Sequence, residues 1–172
     1  PRIAGREREG DDEYTELLMI VRHHQKLTSQ RTAAGNRIHA AAGILFPGIL
    51  ESDATDITPL GNASLDILDK LSVYRVKRMS CEQLVKWLKR HKVINAAVQA
   101  QKLKQLAARA IQPSEQKERA NRTIMEDLVA QYRLLSSQID RCLGKMAGLL
   151  RQTPHWLLTT IDGIGVSTAA QM

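Results

Sequence analysis

Two groups of residues in this chain have the types and spacing to do chemistry. The first is Ile161-Asp162-Gly163-Ile164-Gly165-Val166-Ser167-Thr168. Glycines two apart let a backbone turn tightly and approach another surface closely. From Val166 onward the chain reads as the start of a helix, whose first N–H groups lack intrahelical partners and favour a phosphate. Gly163, Ile164, Gly165, Ser167 and Thr168 are therefore candidate phosphate contacts to nucleic acid. The second group is cationic and comprises Arg75, Lys77, Arg78, Lys86, Lys89, Arg90 and Lys92. Residues 70–109 hold 11 basic groups and 1 acidic one, a net +10, whereas residues 1–69 are net −4 and residues 110–172 net +1. A block of one sign repels itself unless a polyanion offsets it. Binding through such groups is largely independent of base sequence and falls steeply with salt.

Other reactive residue types form no comparable group. Asp11, Asp12 and Glu13 crowd a helix start, where the helix dipole favours carboxylates, and read as a solvated cluster. His23 and His24 are neighbours on a helix and point about 100° apart, so they do not share one ion. Cys81 and Cys142 lie far apart without CxxC spacing and read as reduced, partly buried thiols of an intracellular protein. No catalytic residue, metal ligand or cofactor is assigned. No apolar run reaches the roughly 18 residues of a membrane span and no signal peptide is visible, so the expected location is the cytoplasm, with no membrane partner.

The elements that carry these groups are helices. Aromatic residues make up 3% of the 172 residues, too few for a β-rich fold. Residues 1–13 read as a polar lead-in, and a helix follows from about Asp12 to Phe46. Its seam is Leu17, Val21, His24, Thr28, Arg31, Gly35, Ile38, Ala42 and Leu45, the alternating three and four of a coiled coil. Pro47-Gly48 ends it. A second helix, about 63–77, places Ile67, Leu68, Leu71 and Tyr74 on one face. Ser80 and Gln83 form a capping box that opens a third helix with Leu84, Trp87, Leu88 and His91 at helical spacing, Trp87 being read as core. A fourth, about 95–111, is Ala-rich and carries Val98, Leu103, Leu106 and Ile111.

A fifth helix, about 115–152, has the seam Ile124, Leu128, Gln131, Leu135, Gln138 or Ile139, Cys142, Met146 and Leu149. Gln131 and Gln138 are suited to fixing its register. A helix of that length needs a partner, either the first helix of the same chain or that of a second copy. A homo-oligomer joined through the long helices is expected. The expected fold is all-α: two long antiparallel coiled-coil-type helices (14–152) flank a small helical insert (about 63–111). They lead into a truncated helix-hairpin-helix at 153–172.

Several stretches, in order, resemble one family. They are Glu16-Leu17-Leu18, Val21-Arg22-His23-His24-Gln25-Lys26-Leu27, Arg31 to His39, Leu45-Phe46-Pro47-Gly48, Leu65 to Lys70, Leu88-Lys89-Arg90-His91, Thr153-Pro154, and Leu158-Thr159-Thr160-Ile161-Asp162-Gly163-Ile164-Gly165 with Thr168-Ala169-Ala170. Together they look like the insertion-sequence transposases of the one-ten/eleven-eleven type, DEDD recombinases guided by a bridge RNA. The resemblance implies DNA transposition, with DNA and guide RNA as partners and magnesium as the cofactor of the intact protein. It implies a RuvC-like domain with four acidic ligands before this stretch and a catalytic serine after it, so no catalytic residue is carried onto this chain. Residues 153–172 would begin the C-terminal transposase domain. Asp162 stands where the family often has proline. The alternative is a stand-alone helical module that binds nucleic acid or dimerises.

Overall fold

A computed structural model describes residues 7–51, 57–111 and 113–172, with side chains from Tyr14 onward. The described residues are helical, without strands. The helices are α1 (Glu7–Leu45), α2 (Asn62–Lys70), α3 (Val73–Arg78), α4 (Cys81–Arg90), α5 (Ala96–Arg109), α6 (Glu115–Leu150) and α7 (Val166–Ala169), with a 3₁₀ helix at Pro154–Thr160. Helix α1 begins at Glu7, inside the stretch read as a lead-in; the side chains of Asp11, Asp12 and Glu13 lie outside the described residues. Among the described residues no helix is long and apolar enough to cross a membrane. The chain divides into two compact units, Pro1–Thr32 with Arg133–Met172, and Ala33–Tyr132.

The first unit pairs the first part of α1 with the second part of α6. Leu17 and Val21 pack with Met146, Leu150 and Ala169, and Trp156, Leu158, Ile164 and Val166 close over that cluster. The 3₁₀ helix has local causes. Pro154 sits at its first turn, and the hydroxyls of Thr159 and Thr160 donate to the carbonyls of Trp156 and Leu157 at 2.8 Å each, drawing those carbonyls away from a regular α ladder. The element before the glycine turn is therefore a 3₁₀ helix.

The second unit holds the larger core. Ile38, Ala42, Leu45 and Phe46 of the α1 end meet Leu65, Ile67, Leu68, Leu84, Leu88, Leu103, Met125 and Val129. At Gly35 α1 comes close to its neighbours: a Cβ there would lie 3.0 Å from Leu60 Cδ1 and 3.5 Å from Tyr132. Gly35 faces Tyr132 while the residues after it share a cluster with Met125, Leu128 and Val129, so α1 and α6 run antiparallel. The expected α1 seam is buried or half-buried throughout. On α6, Ile124 and Gln131 are exposed, while Met125, Leu128 and Val129 face the core. Residues next to an inward position point about 100° away, so Gln131 does not set register.

Helix two of the sequence reading is two helices. Leu71 is extended at φ −114°, ψ 141°, and the Ser72 hydroxyl accepts from the Arg75 N–H at 3.2 Å to open α3. The restart changes the helical phase, which leaves Tyr74 50% exposed rather than in the core. On α5 the inward face is Ala96, Gln99, Ala100, Leu103 and Ala107; Val98 lies off it, and Ile111 lies beyond the helix end, both exposed. Trp87 is half-buried at the core's edge.

Candidate nucleic-acid interface

The cationic residues sit on α3, α4 and the turn after α4, and the structure sorts them into two kinds. The side chains of Arg75, Lys77 and Arg78 are engaged within the protein. Arg75 Nη1 donates to the Lys70 carbonyl at the end of α2 at 2.9 Å, and Lys77 Nζ to the Ala110 carbonyl at the end of α5 at 3.4 Å. Arg78 Nη1 donates to the Tyr74 hydroxyl at 2.8 Å, and its guanidinium stands 5.3 Å from the centre of that ring. Cations at helix C-termini satisfy unpaired carbonyls and oppose the negative end of the dipole.

Lys86, Lys89, Arg90 and Lys92 are the second kind. All four are exposed, and among the described residues none of their side chains has a hydrogen-bond or ion-pair partner. The capping box aligns the helix that carries the first three. Gln83 N–H donates to Ser80 Oγ at 3.1 Å, and Ser80 N–H to Gln83 Oε1 at 2.9 Å. Leu84 and Leu88, fully buried, turn the opposite face inward. Glu82, the one acid of residues 70–109, lines a shallow groove of about 370 Å³ with Cys81, Val85, Lys86 and Lys89.

Helix α4 ends in a Schellman motif. Val93 N–H donates to the Leu88 carbonyl and Lys92 N–H to the Lys89 carbonyl, both at 3.1 Å. Lys92 occupies the left-handed position of that motif at φ +56°, where glycine is the unstrained choice. Asn95, at φ +54°, opens α5 in the same left-handed region, and Ile94 between them is 82% exposed. The turn is braced from behind. His91 Nδ1 lies 2.7 Å from Asp66 Oδ2 of α2, and the His91 ring stacks on Trp87 with centroids 4.0 Å apart. This brace is not visible in the sequence, because its partners are 25 residues apart and nothing local marks Asp66.

The glycine turn belongs to the other unit. Ile164 N–H donates to the Ile161 carbonyl at 3.0 Å, closing a turn with Gly163 at φ +87°, the value of the third residue of a type II turn. Gly165 is extended at φ −82°, ψ 170°, and caps α7. A Cβ on either glycine would meet nothing within 4 Å, so both backbones are open to approach. Helix α7 has only 4 residues, so its dipole is slight. The Ser167 hydroxyl takes a 3.3 Å bond from Gln171, and Thr168 is exposed.

The remaining candidates are quieter. A groove of about 490 Å³ is lined by Tyr74, Pro113, Glu115, Glu118, Arg119 and Arg122. There Glu115 and Arg119 pair at 2.5 Å, so the cations are largely offset. Among the described residues no group of three or more His, Cys, Asp and Glu could hold a metal ion. His23 is exposed while His24 is buried, as their angular separation requires. The chain matches no protein-family model, no curated protein and no solved structure.

Proposed function

We propose that this chain is the helical middle portion of a DNA transposase or recombinase of the insertion-sequence type it resembles, acting in the cytoplasm. In this reading it binds DNA or guide RNA, joins copies of the protein, and contributes no catalytic residue. The observation that carries it is the cationic block of residues 70–109, with its single acid, whose four cations on α4 and the turn after it have no side-chain partner within the described residues. Charge left unpaired in that density is offset by a polyanion. The ordered stretches from Glu16 to Ala170 add the link to transposition. No strand-cleavage step is assigned to this chain, because the resemblance puts the acidic ligands before it and the catalytic serine after it. Self-association would use outer faces, where Met19 and Leu134 are exposed, because the inner seam of α1 is filled by α6.

The filled seam also favours a second reading, a stand-alone helical nucleic-acid-binding module. The DNA flanking the coding stretch separates the two. A transposase requires spaced acidic ligands encoded upstream and a serine-bearing domain downstream; intact, unrelated genes on both sides would leave only the module. In either case the purified 172-residue chain is expected to cleave no DNA strand.

A further inference from the structure

The turn between α4 and α5 carries three features with one common explanation. First, Lys86, Lys89, Arg90 and Lys92 present positive charge at and beside the end of α4 that has no partner among the described residues. That charge exceeds the roughly half-unit negative charge of a helix C-terminus, so the surface stays positive. Second, the left-handed position of the Schellman motif holds Lys92 at φ +56°, where glycine would relieve strain. Strain retained at an exposed turn marks a side chain kept for what it does. Third, Ile94 projects beside the cations at 82% exposure, between two left-handed residues.

We infer that this α4–α5 turn is a docking surface for the backbone of duplex DNA, with Lys86, Lys89, Arg90 and Lys92 on phosphates and Ile94 against the sugar wall. The inference rests on the nucleic-acid reading above and names the surface and the partner. A duplex fits better than a single strand because the nearby aromatic rings are already engaged. Trp87 is stacked on His91 and packed at the core, and the guanidinium of Arg78 covers Tyr74. Single-strand binding relies on free stacking platforms. DNA fits better than duplex RNA because the turn is fronted by Lys, Arg and Ile, which suit phosphate and sugar. RNA duplexes are read largely through 2′-hydroxyls.

The test is fluorescence anisotropy of the full 172-residue chain with a 20-base-pair DNA duplex, a matched RNA duplex and single-stranded DNA across a salt series. Replacing all four cations (Lys86→Gln, Lys89→Gln, Arg90→Gln, Lys92→Gly) should lower the log–log salt slope for duplex DNA by about 3–4, near 0.9 per phosphate. Circular dichroism verifies that the variant stays folded. The single change Lys92→Gly is the sharper probe, because its two effects have opposite sign. It should raise Tm by about 2–4 °C through relief of strain and weaken duplex DNA binding about 3- to 10-fold. An unchanged slope in the fourfold variant, or an unchanged affinity in Lys92→Gly, overturns the assignment of the turn while leaving nucleic-acid binding elsewhere intact. Tighter binding of RNA duplex or single strand overturns the choice of partner. No binding of any nucleic acid at low salt overturns the underlying reading as well.

Discussion

Lys77 and Lys104 cap each other's helices. Lys77, on α3, donates to the Ala110 carbonyl at the end of α5 at 3.4 Å. Lys104, on α5, donates to the Lys77 carbonyl at 3.2 Å and to the Met79 carbonyl at the end of α3. Two short helices, each too brief to be stable alone, are thus held by a reciprocal exchange of ammonium groups. The positive charge of residues 70–109 therefore has two purposes. Part of it closes helix ends, and part, on α4 and the turn after it, faces outward without a partner among the described residues.

That division predicts different outcomes for neighbouring lysines. Lys104→Met keeps the aliphatic stem and removes two charge-assisted bonds to carbonyls. Stability should fall by about 1–2 kcal/mol, seen as a lower urea midpoint with the slope unchanged. Duplex DNA affinity should change less than twofold. A binding loss as large as that of the α4 cations would place Lys104 among the contacts and dissolve the division.

The break between α2 and α3 makes a second prediction. Ser72 is buried, and its hydroxyl accepts from the Arg75 N–H at 3.2 Å. Ser72→Ala removes the side-chain N-cap of a 6-residue helix. It should cost about 1 kcal/mol in equilibrium unfolding, and Ser72→Asn or Ser72→Thr should recover most of that. Equal loss in all three would mean that burial of the small side chain, not the cap, holds the break.

The same residue shows where sequence reasoning reaches and where it stops. The Ser80–Gln83 capping box was legible because both partners lie within four residues and the motif has a distinctive composition. The α1 seam was legible because alternating steps of three and four over 29 residues leave few other packings. Ser72 was not, since Leu65 to Tyr74 keeps an apolar helical period straight through the break, and only tertiary packing of Leu71 and Val73 decides against continuing. Gln131 failed for a related reason. It fits a seven-residue period, but it is exposed, and Tyr132, one residue on, is the side chain that packs against the core. The α4 cations were legible as a block. The Lys77–Lys104 exchange and the His91–Asp66 brace join positions 25 to 33 residues apart and carry no local mark.

His24 yields a third prediction. It occupies a seam position of α1, is only 9% exposed, and among the described residues its Nδ1 has no hydrogen-bond partner. A buried polar atom without a partner costs about 1–3 kcal/mol. His24→Leu keeps the volume near that of the imidazole and removes the penalty, so stability should rise by about 1–2 kcal/mol. His24→Ala should instead lower it by leaving a cavity. A destabilised leucine variant would mean that the imidazole has a polar partner in solution.

The glycine turn gives the last prediction, because its two glycines are required for different reasons. Gly163 sits at φ +87°, a region that L side chains seldom enter. Gly163→Ala should cost about 1 kcal/mol even though the space beside it is empty. Gly165 has an ordinary extended backbone and equally open surroundings, so Gly165→Ala should be neutral to slightly stabilising, through the narrower unfolded ensemble of alanine. Hydrogen exchange reports this locally. The Ile164 amide, bonded to the Ile161 carbonyl across the turn at 3.0 Å, should exchange faster in Gly163→Ala and at the parent rate in Gly165→Ala. Accelerated exchange in both variants would show that the second glycine is also needed for the turn itself. The parent rate in Gly165→Ala would leave its missing side chain as room for something to approach the backbone.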